Sequence, residues 1–279
     1  MTESTITLTR ESPAVARITY TNAPVNLIVG DTVRDLAAVL DGLLNDTQLQ
    51  VLVFDSGVED FFYNHFDLAH LEQFPGPDPE TGHAVFTDIV LRLSTAPFVT
   101  IGLIRGRTRG GGNELALALD LRYASLEKGF FGQPEVGTAV VPGGGGTERL
   151  PRLIGNDRAL EVILTSADYD AATAEKWGWV TRALPDAELD AYVAGVVARL
   201  AAFDRTSLAA AKAMVGRATL PPASDLVTAY GEFEHSVSLP GFQTRAAATP
   251  QFTPEQALEL EYHLGAALGA AALRRGQQG

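Results

Sequence analysis

In the first quarter of the chain, the spacing of the apolar residues is typical first of strands, then of a helix, and then of a strand again. Residues Thr5 to Thr9 and Ala14 to Tyr20 alternate apolar or β-branched positions with polar ones around a Glu-Ser-Pro break, which predicts a β-hairpin. A helix follows, with an N-cap at Asp31 and an end at Asn45-Asp46, and the apolar run Val51 to Phe54 predicts the next strand. The apolar residues of this helix recur at helical spacing: Val33, Leu36, Leu40, Leu43 and Leu44.

The pattern then repeats. It predicts a helix around Ala84 to Leu93, a strand from Val99 to Ile104, a glycine-rich turn and a helix beginning near Asn113. Strands that alternate with helices indicate an α/β fold with a largely parallel sheet under helical cover. Beyond about Thr147 the pattern is almost entirely helical. The predicted segments are Asp157 to Thr165, Ala171 to Trp177, Asp186 to Leu200, Thr206 to Val215 and Ser224 to Val237.

The C-terminal end carries a strong helix-start signal. Thr253-Pro-Glu-Gln256 has capping-box spacing with proline at the first helical position. It predicts one helix that runs through Leu258, Tyr262 and Leu268 to Gly276. The stretch from Leu239 to Phe252 contains two prolines and a glycine, so we expect a flexible connection there.

Composition narrows the function classes. The chain has 279 residues, of which 46% are apolar, and a formal net charge of −13. That charge argues against binding to nucleic acid or to an anionic membrane, since either needs a basic face. The absence of cysteine excludes disulfides, thiolate metal sites and cysteine nucleophiles. We find no signal-peptide pattern at the start and no apolar run of about 18 residues, so we expect a cytoplasmic protein.

The first chemical motif is a glycine-rich turn between a strand and a helix, residues 105–120. Three consecutive glycines, Gly110, Gly111 and Gly112, bring the N–H groups of a helix N-terminus close to a ligand, where a developing oxyanion is stabilised. Glu114 follows within the first helical turn. The alternative is a tight packing turn whose glutamate complements the helix dipole.

The second motif spans residues 131–150 and combines Glu135 with the run Pro142-Gly-Gly-Gly-Gly-Thr147 before a helix. No Lys-Ser or Lys-Thr follows the glycines, so this turn is not a nucleotide-binding P-loop. Taken alone, Glu135 is also compatible with a surface loop.

The third motif is Phe61-Phe-Tyr-Asn-His-Phe-Asp-Leu68, directly after a predicted strand. Its aromatic density indicates a ligand wall or a core edge. The spacing of His65, Asp67 and His70 matches no strong zinc signature, and we predict no metal site.

Together the three motifs, over residues 5 to 215, resemble the enoyl-CoA hydratase/isomerase, or crotonase, superfamily. Residues 110–120 are similar to the family's Gly-Gly-Gly-x-Glu-Leu-Ala segment, and residues 133–150 to its second catalytic segment. Residues 171–185, which contain Ala174-Glu-Lys-Trp-Gly-Trp-Val, resemble a later family stretch. The resemblance implies a spiral of ββα units with a helical C-terminal region. We expect a core over residues 1–200 and a helical oligomerisation region over residues 201–279.

The resemblance also implies site residues and partners. The backbone N–H groups of Phe66 and Gly111 align with the family's oxyanion donors, and Glu114 and Glu135 with its catalytic glutamates. The substrate is expected to be an acyl-CoA thioester, with no separate cofactor, and the assembly a homotrimer or a dimer of trimers. The residues expected at the substrate are Val25, Asn64, His65, Asp67, Leu68, Gly110, Gly112, Pro142 and Gly143.

Because both glutamates are present, the favoured reaction is hydration of a 2-enoyl-CoA. Glu114 would assist attack of water at the β-carbon, and Glu135 would supply the α-proton. The alternatives are double-bond isomerisation, hydrolysis or retro-Claisen cleavage of a β-dicarbonyl compound, and a non-catalytic acyl-CoA-binding homologue.

The chain departs from the family pattern at three places. Tyr63-Asn-His-Phe66 stands where the family usually has small residues, so we expect a narrowed or reshaped acyl pocket. Arg107 and Arg109 replace residues that are often uncharged. They either bind an anion or pair with the surplus acidic residues. The reshaped pocket leaves the chain length of the substrate open. The C-terminal segment lacks the family's usual Phe followed by Lys-Arg-Pro, which leaves the contacts of that region to the CoA nucleotide open.

Overall fold

The N-terminal hairpin forms the edge of the main sheet. In a computed structural model, which describes residues 5–248 and 251–276, strand β1 (Ile6–Ser12) is antiparallel to β2 (Val15–Tyr20). The predicted hairpin is confirmed. Residues Thr7 and Thr19 face each other in its register.

Four further strands extend this sheet in parallel. They are β3 (Val51–Ser56), β4 (Val99–Ile104), β6 (Leu121–Ser125) and β9 (Arg182–Leu184), and the strand order is β1-β2-β3-β4-β6-β9. Every residue of β4 is buried, as expected for a parallel strand covered on both faces. The predicted parallel sheet is therefore confirmed.

A second, three-stranded sheet carries the first glycine-rich turn. It consists of β5 (Arg107–Arg109), β7 (Phe130–Gly132) and β8 (Asp168–Asp170) in the order β5-β7-β8. The sequence did not predict these strands, because three residues are too short to display alternation. Strands β8 and β9 also correct the prediction that the chain is almost entirely helical beyond Thr147.

Helices cover both faces of the main sheet. On one face lie α1 (Gly30–Leu44), α2 (Val85–Thr95) and α3 (Gly111–Ala118), in the larger apolar core. On the other face α7 (Asp186–Ala201) packs Leu189 and Val193 against the strands. The predicted N-cap of α1 was wrong: Val29 is the N-cap, and Asp31 lies in the first turn, paired with Arg34 at 2.5 Å.

The C-terminal region is helical, as predicted. Besides α7 it contains α4 (Gly146–Ile154), α5 (Asn156–Thr165), α6 (Ala171–Trp177), α8 (Arg205–Thr219), α9 (Ala223–Ser238), α10 (Pro240–Ala247), α11 (Pro254–Tyr262) and α12 (Leu264–Gly276).

Two predictions at the C-terminal end were wrong. Residues 239–252 were predicted as a connection, but they include helix α10, whose first turn contains Pro240. A proline is well tolerated at the start of a helix, so it does not always mark a break. The predicted last helix is two helices that meet at His263. Its start is confirmed, since Thr253 and Gln256 form the capping box. Arginine side chains bind the carbonyls of Glu261 and Tyr262, and the chain changes direction there.

Candidate active site

Glu114 lies in the first turn of α3 but binds the start of another helix. Its Oε1 accepts hydrogen bonds from the N–H groups of Gly144 (2.8 Å) and Gly146 (2.9 Å), at the N-terminus of α4. A Cβ atom at Gly144 would lie 2.6 Å from Glu114 Oε2, so only glycine permits this approach. The second glycine-rich turn is therefore a cradle for the glutamate of the first.

The Glu114 carboxylate is almost completely buried, at 2% exposure. Burial raises its pKa to about 7, although the two amides and the cation of Arg149 favour the charged form. Among the described residues, no hydrogen bond reaches Oε2. Glu114 thus combines a raised pKa with one carboxyl oxygen that accepts no hydrogen bond in the described chain.

Glu135 begins a short 3₁₀ turn (Glu135–Thr138) after β7, and its carboxyl group points inward. Oε1 accepts from Gln133 Nε2 at 3.2 Å, whereas Oε2 is buried without a hydrogen-bond partner in the described chain. Burial raises the pKa of Glu135 well above its usual range, and the charge of Glu114 raises it further. Burial and the neighbouring charge thus favour the neutral form of the carboxyl group, and the surface-loop alternative is wrong.

Gln133 connects the two glutamates. A Cβ atom at Gly146 would lie 2.8 Å from Gln133 Nε2 and 3.1 Å from Glu114 Oε1. The same Nε2 donates to Glu135. The two carboxyl groups thus border the same amide group, as expected if they act on one substrate.

A chain of buried side chains orients this amide. Trp179 Nε1 donates to Asn113 Oδ1 at 2.9 Å, and Asn113 Nδ2 donates to Gln133 Oε1 at 2.5 Å. An indole N–H can only donate, so it fixes which end of each amide accepts. At the end of this series of hydrogen bonds, Gln133 Nε2 donates to Glu135. The sequence analysis did not identify Trp179, Asn113 or Gln133 as site residues.

The backbone of residues 64–67 is held in extended conformation beside Ile28. The N–H of Ile28 donates to the carbonyl of His65 at 3.0 Å, and the N–H of Asp67 donates to the carbonyl of Ile28 at 2.9 Å. Successive residues of an extended chain direct their polar groups to opposite sides. The N–H of Phe66 therefore points away from Ile28.

That side is occupied by the start of α3. The N–H of Gly112 donates to the carbonyl of Asn64 at 3.0 Å. A Cβ atom at Gly112 would lie 1.9 Å from the carbonyl oxygen of Tyr63, so a side chain would separate the two segments. The segment around Phe66 and the start of α3 are therefore in close contact, and a Cβ atom at Gly111 would lie 2.6 Å from the Phe66 ring.

The Phe66 side chain lines an apolar pocket. Its ring contacts Phe74, Phe86 and Phe233 at centroid distances of 5.1, 4.8 and 6.4 Å. The pocket has a volume of about 200 Å³, and its other lining residues are Leu71, Tyr230, Glu234 and Val237. The bulky residue at this position therefore contributes to an apolar wall. The three aromatic residues before Asn64 are buried in the core, so the aromatic motif is both core edge and wall.

His65 and Asn64 contact a residue that the sequence analysis missed. Glu261, the penultimate residue of α11, lies 3.0 Å from His65 Nε2 and accepts from Asn64 Nδ2 at 2.9 Å. A Cβ atom at Gly110 would lie 3.0 Å from His65 Cβ and 2.9 Å from Glu135 Oε1. The pair of His65 and Glu261 is therefore next to the glutamate pair.

Arg107 and Arg109 hold this C-terminal segment. Arg109, 1% exposed, makes two hydrogen bonds of 2.7 Å to the carboxylate of Asp168 and one of 2.6 Å to the carbonyl of Glu261. Arg107 donates to the carbonyl of Tyr262 and stacks over its ring at 4.3 Å. Of the two interpretations left open for the arginines, pairing within the chain is the one that Arg109 and Asp168 display.

The remaining expected residues lie around this centre. Val25 is buried one residue before Asn26, whose carbonyl accepts from the N–H of Asn64. Asp67 caps the 3₁₀ helix Leu68–Gln73 and pairs with His70 at 2.7 Å. Gly143 packs against Phe233, and Leu68 joins the same apolar cluster. Pro142 lines a different groove of about 550 Å³, together with Thr147, Glu148 and Asp225.

The described part of the chain comprises residues 5–248 and 251–276. Within them, no group of three or more His, Asp or Glu residues is placed to hold a metal ion. No helix in the same part of the chain has the length and apolar character needed to cross a membrane.

Comparison with known proteins identifies relatives of this chain. The family model for enoyl-CoA hydratase/isomerase matches residues 10–235. A probable mitochondrial enoyl-CoA hydratase from Dictyostelium discoideum is 31% identical over 201 residues, which are 68% of this chain and 72% of the relative. The fatty acid oxidation complex subunit alpha from Shewanella halifaxensis is 34% identical over 195 residues, but the chain spans only 27% of its length.

Solved structures agree with the family match. The crystal structure of a putative enoyl-CoA hydratase from Streptomyces avermitilis superposes with a TM-score of 0.86 and 39% identity, covering 96% of this chain and 98% of that one. The predicted crotonase-like fold with its helical C-terminal region is thereby confirmed. The family model and this structural match cover most of the chain, so the protein belongs to the enoyl-CoA hydratase/isomerase family of enzymes.

Proposed function

We propose that the protein hydrates the double bond of a 2-enoyl-CoA thioester. The observation that carries the proposal is a buried carboxyl oxygen without a hydrogen-bond partner in the described chain, Oε2 of Glu135, close to a second buried glutamate, Glu114, whose Oε2 accepts no hydrogen bond there. A buried polar atom without a partner is costly, and its retention is typical of a group that awaits a ligand. Relatives named as enoyl-CoA hydratases support the same reaction.

The protonation states suit the two roles. With a pKa of about 7, Glu114 is partly ionised at neutral pH and can accept a proton from water. Burial raises the pKa of Glu135 well above its usual range, which favours the protonated form that can donate a proton. One base and one acid are therefore available at the same time, which an addition of water requires.

The reaction then proceeds as follows. Water attacks the β-carbon while its proton passes to Glu114 Oε2, and the electron pair of the double bond moves to the thioester oxygen. The amides of Phe66 and Gly111 stabilise this enolate, a contribution of about 3–4 kcal/mol per donor in comparable sites. The α-carbon next takes the proton of Glu135. The product is a 3-hydroxyacyl thioester, and a proton must return from Glu114 to Glu135 before the next turnover.

The pocket beside Phe66 supports an apolar acyl group. Its volume of about 200 Å³ and its aromatic lining suit a short chain or a ring, and favour neither a polar nor a charged acyl group. We propose that this pocket takes the acyl end of the substrate, while the thioester lies over the gap between Phe66 and Gly111.

The test is product analysis on a panel of 2-enoyl-CoA thioesters of increasing chain length, with 3-enoyl-CoA and β-dicarbonyl thioesters alongside. The expected result is a 3-hydroxyacyl-CoA that contains one oxygen from labelled water. A shifted double bond would indicate isomerisation, and a cleaved acyl chain would indicate hydrolysis. Calorimetric binding of thioesters without turnover would indicate a non-catalytic homologue. Any of these three results would overturn the proposal.

A further inference from the structure

We infer that Glu261 is a positioning residue of the active site, which acts through His65 on the backbone segment that presents the Phe66 amide. The inference rests on the proposed function for its catalytic consequence. The contact between Glu261 and His65 does not depend on that function and can be measured separately.

The first step is the protonation state of His65. Its Nδ1 lies 2.9 Å from the carbonyl oxygen of Phe66, and its Nε2 lies 3.0 and 3.2 Å from the two carboxylate oxygens of Glu261. A carbonyl and an ionised carboxylate can only accept hydrogen bonds. Both ring nitrogens must therefore carry protons, and the geometry requires the imidazolium form.

The second step is the charge of Glu261. Its Oε2 also accepts from Asn64 Nδ2 at 2.9 Å, and the guanidinium of Arg109 lies 3.9 Å from the same oxygen. Burial opposes the charge, but His65, Asn64 and Arg109 lower the pKa of Glu261 to about 2. Burial likewise lowers the pKa of His65, whereas the Glu261 carboxylate raises it to a net value above the ordinary 6.5. An ion pair results.

The third step is how the fold places Glu261. The residue lies at the end of α11, and its carbonyl is bound by Arg109, whose position is set by the two bonds to Asp168. The next residue, Tyr262, is held by Arg107 and by a hydrogen bond of 3.2 Å to Asp60. Both arginines belong to β5, the strand that leads into Gly110. One strand therefore positions the glycine turn and the C-terminal carboxylate together.

The fourth step is the effect on the site. His65 and Asn64 belong to the segment whose carbonyl at Asn64 accepts from Gly112, and His65 precedes the amide of Phe66. Glu261 binds both side chains, so it restrains two successive residues of that segment. The titratable or charged groups that face the His65 ring are Glu261, Arg109 and, across Gly110, the protonated Glu135. Loss of the Glu261 charge frees the ring and loosens the amide.

The experiment compares Glu261→Gln with Glu259→Gln. Glu259 lies on the same helix but is exposed and pairs only weakly with His263 at 3.4 Å, so its variant is the matched control. NMR of the imidazole nitrogens, with His65 assigned through His65→Ala, reports the titration of the ring. In Glu261→Gln the pKa of His65 should fall, because the carboxylate that raises it is lost, whereas in Glu259→Gln it should not change.

The kinetic arm measures 2-enoyl-CoA hydration. Glu261→Gln should lower kcat roughly 10- to 100-fold, as expected for a misplaced donor, with KM changed less than kcat and Glu259→Gln unchanged. In a His65→Ala background, Glu261→Gln should add little, because it acts through the absent ring. An unchanged His65 titration, or a kcat equal to that of Glu259→Gln, overturns the inference. If the wild type hydrates no thioester while the titration shifts as expected, the ion pair stands and the proposed function fails.

Discussion

At the scale of single residues, the two glutamates should determine how activity depends on pH. Glu114 must be ionised to accept a proton, and Glu135 must be protonated to donate one. With the pKa of Glu114 at about 7, kcat/KM should rise with pH up to about that value. It should fall again at the higher pH at which Glu135 loses its proton, because burial raises the pKa of that carboxyl group well above its usual range. A profile of kcat/KM against pH on a 2-enoyl-CoA checks this, and a flat profile from pH 5 to 8 would contradict it.

The buried charge of Glu114 should also reduce stability. The pKa of Glu114 in the folded protein, about 7, lies above the ordinary 4.5. At pH values between 4.5 and about 7, the folded protein therefore binds more protons than the unfolded chain. Stability must then fall as pH rises through this window. Glu114→Gln keeps an acceptor for both glycine amides but has no charge.

Relative to wild type, the free energy of unfolding of the variant should therefore rise by roughly 3 kcal/mol between pH 4 and pH 8, because the pKa of Glu114 goes from 4.5 in the unfolded chain to about 7 in the folded protein. Urea unfolding at both pH values measures the gain, with the exposed Glu175→Gln as control. An equal difference from wild type at pH 4 and pH 8 would refute the buried charge.

At the scale of elements, the chain from Trp179 through Asn113 to Gln133 should fix the orientation of Glu135. Trp179→Phe removes the only donor that sets the direction of both amides, and leaves Asn113 Oδ1 unsatisfied. We expect a loss of about 1–3 kcal/mol in the free energy of unfolding, together with a lower kcat and a shifted alkaline limb of the pH profile.

The protein has only two tryptophans, which supplies a matched control. Trp177 packs against Tyr169 and Arg158 outside the chain of amides, so Trp177→Phe should leave the pH profile unchanged. If both variants behave alike, the amide chain has no role in catalysis.

Regular elements with strong periodicity could be predicted from the sequence. Strand β4 and helix α6 have the predicted ends, because buried parallel strands and helices bounded by cap residues have clear signals. The three-residue strands β5, β7 and β8 have no such signal. The break at His263 was also hidden, since it depends on arginines about 155 positions away along the chain.

The site, too, has residues that a local sequence motif predicts and residues that no motif predicts. The glycine-rich turns indicated Glu114, Glu135 and the amides, because that chemistry lies in contiguous motifs. Glu261 is 196 positions from His65 and has no motif of its own, so only the folded chain brings it to the site. The expected roles of the motif residues stay predictions until activity is measured.

At the scale of the whole molecule, the predicted trimer or dimer of trimers has a candidate surface. Helix α8 contains no buried residue, and it exposes Met214 by 60% and Val215 by 65%. We expect sedimentation to give three or six times the chain mass of 29.7 kDa. Val215→Glu should lower that mass, because a charge would be buried without a partner. Leu273→Glu, on an exposed apolar residue of α12, is the control. A monomeric wild type would refute the prediction.

The central claim is that Glu114 and Glu135 act as base and acid on one enoyl thioester. The most direct measurement is the rate at which Glu135→Gln hydrates the best substrate of the wild type, followed by the loss of the conjugated thioester absorbance. Glutamine keeps the size of the side chain but cannot donate the proton, so we expect a rate 10²- to 10⁴-fold below wild type. A rate equal to that of wild type and of Glu175→Gln would contradict the account.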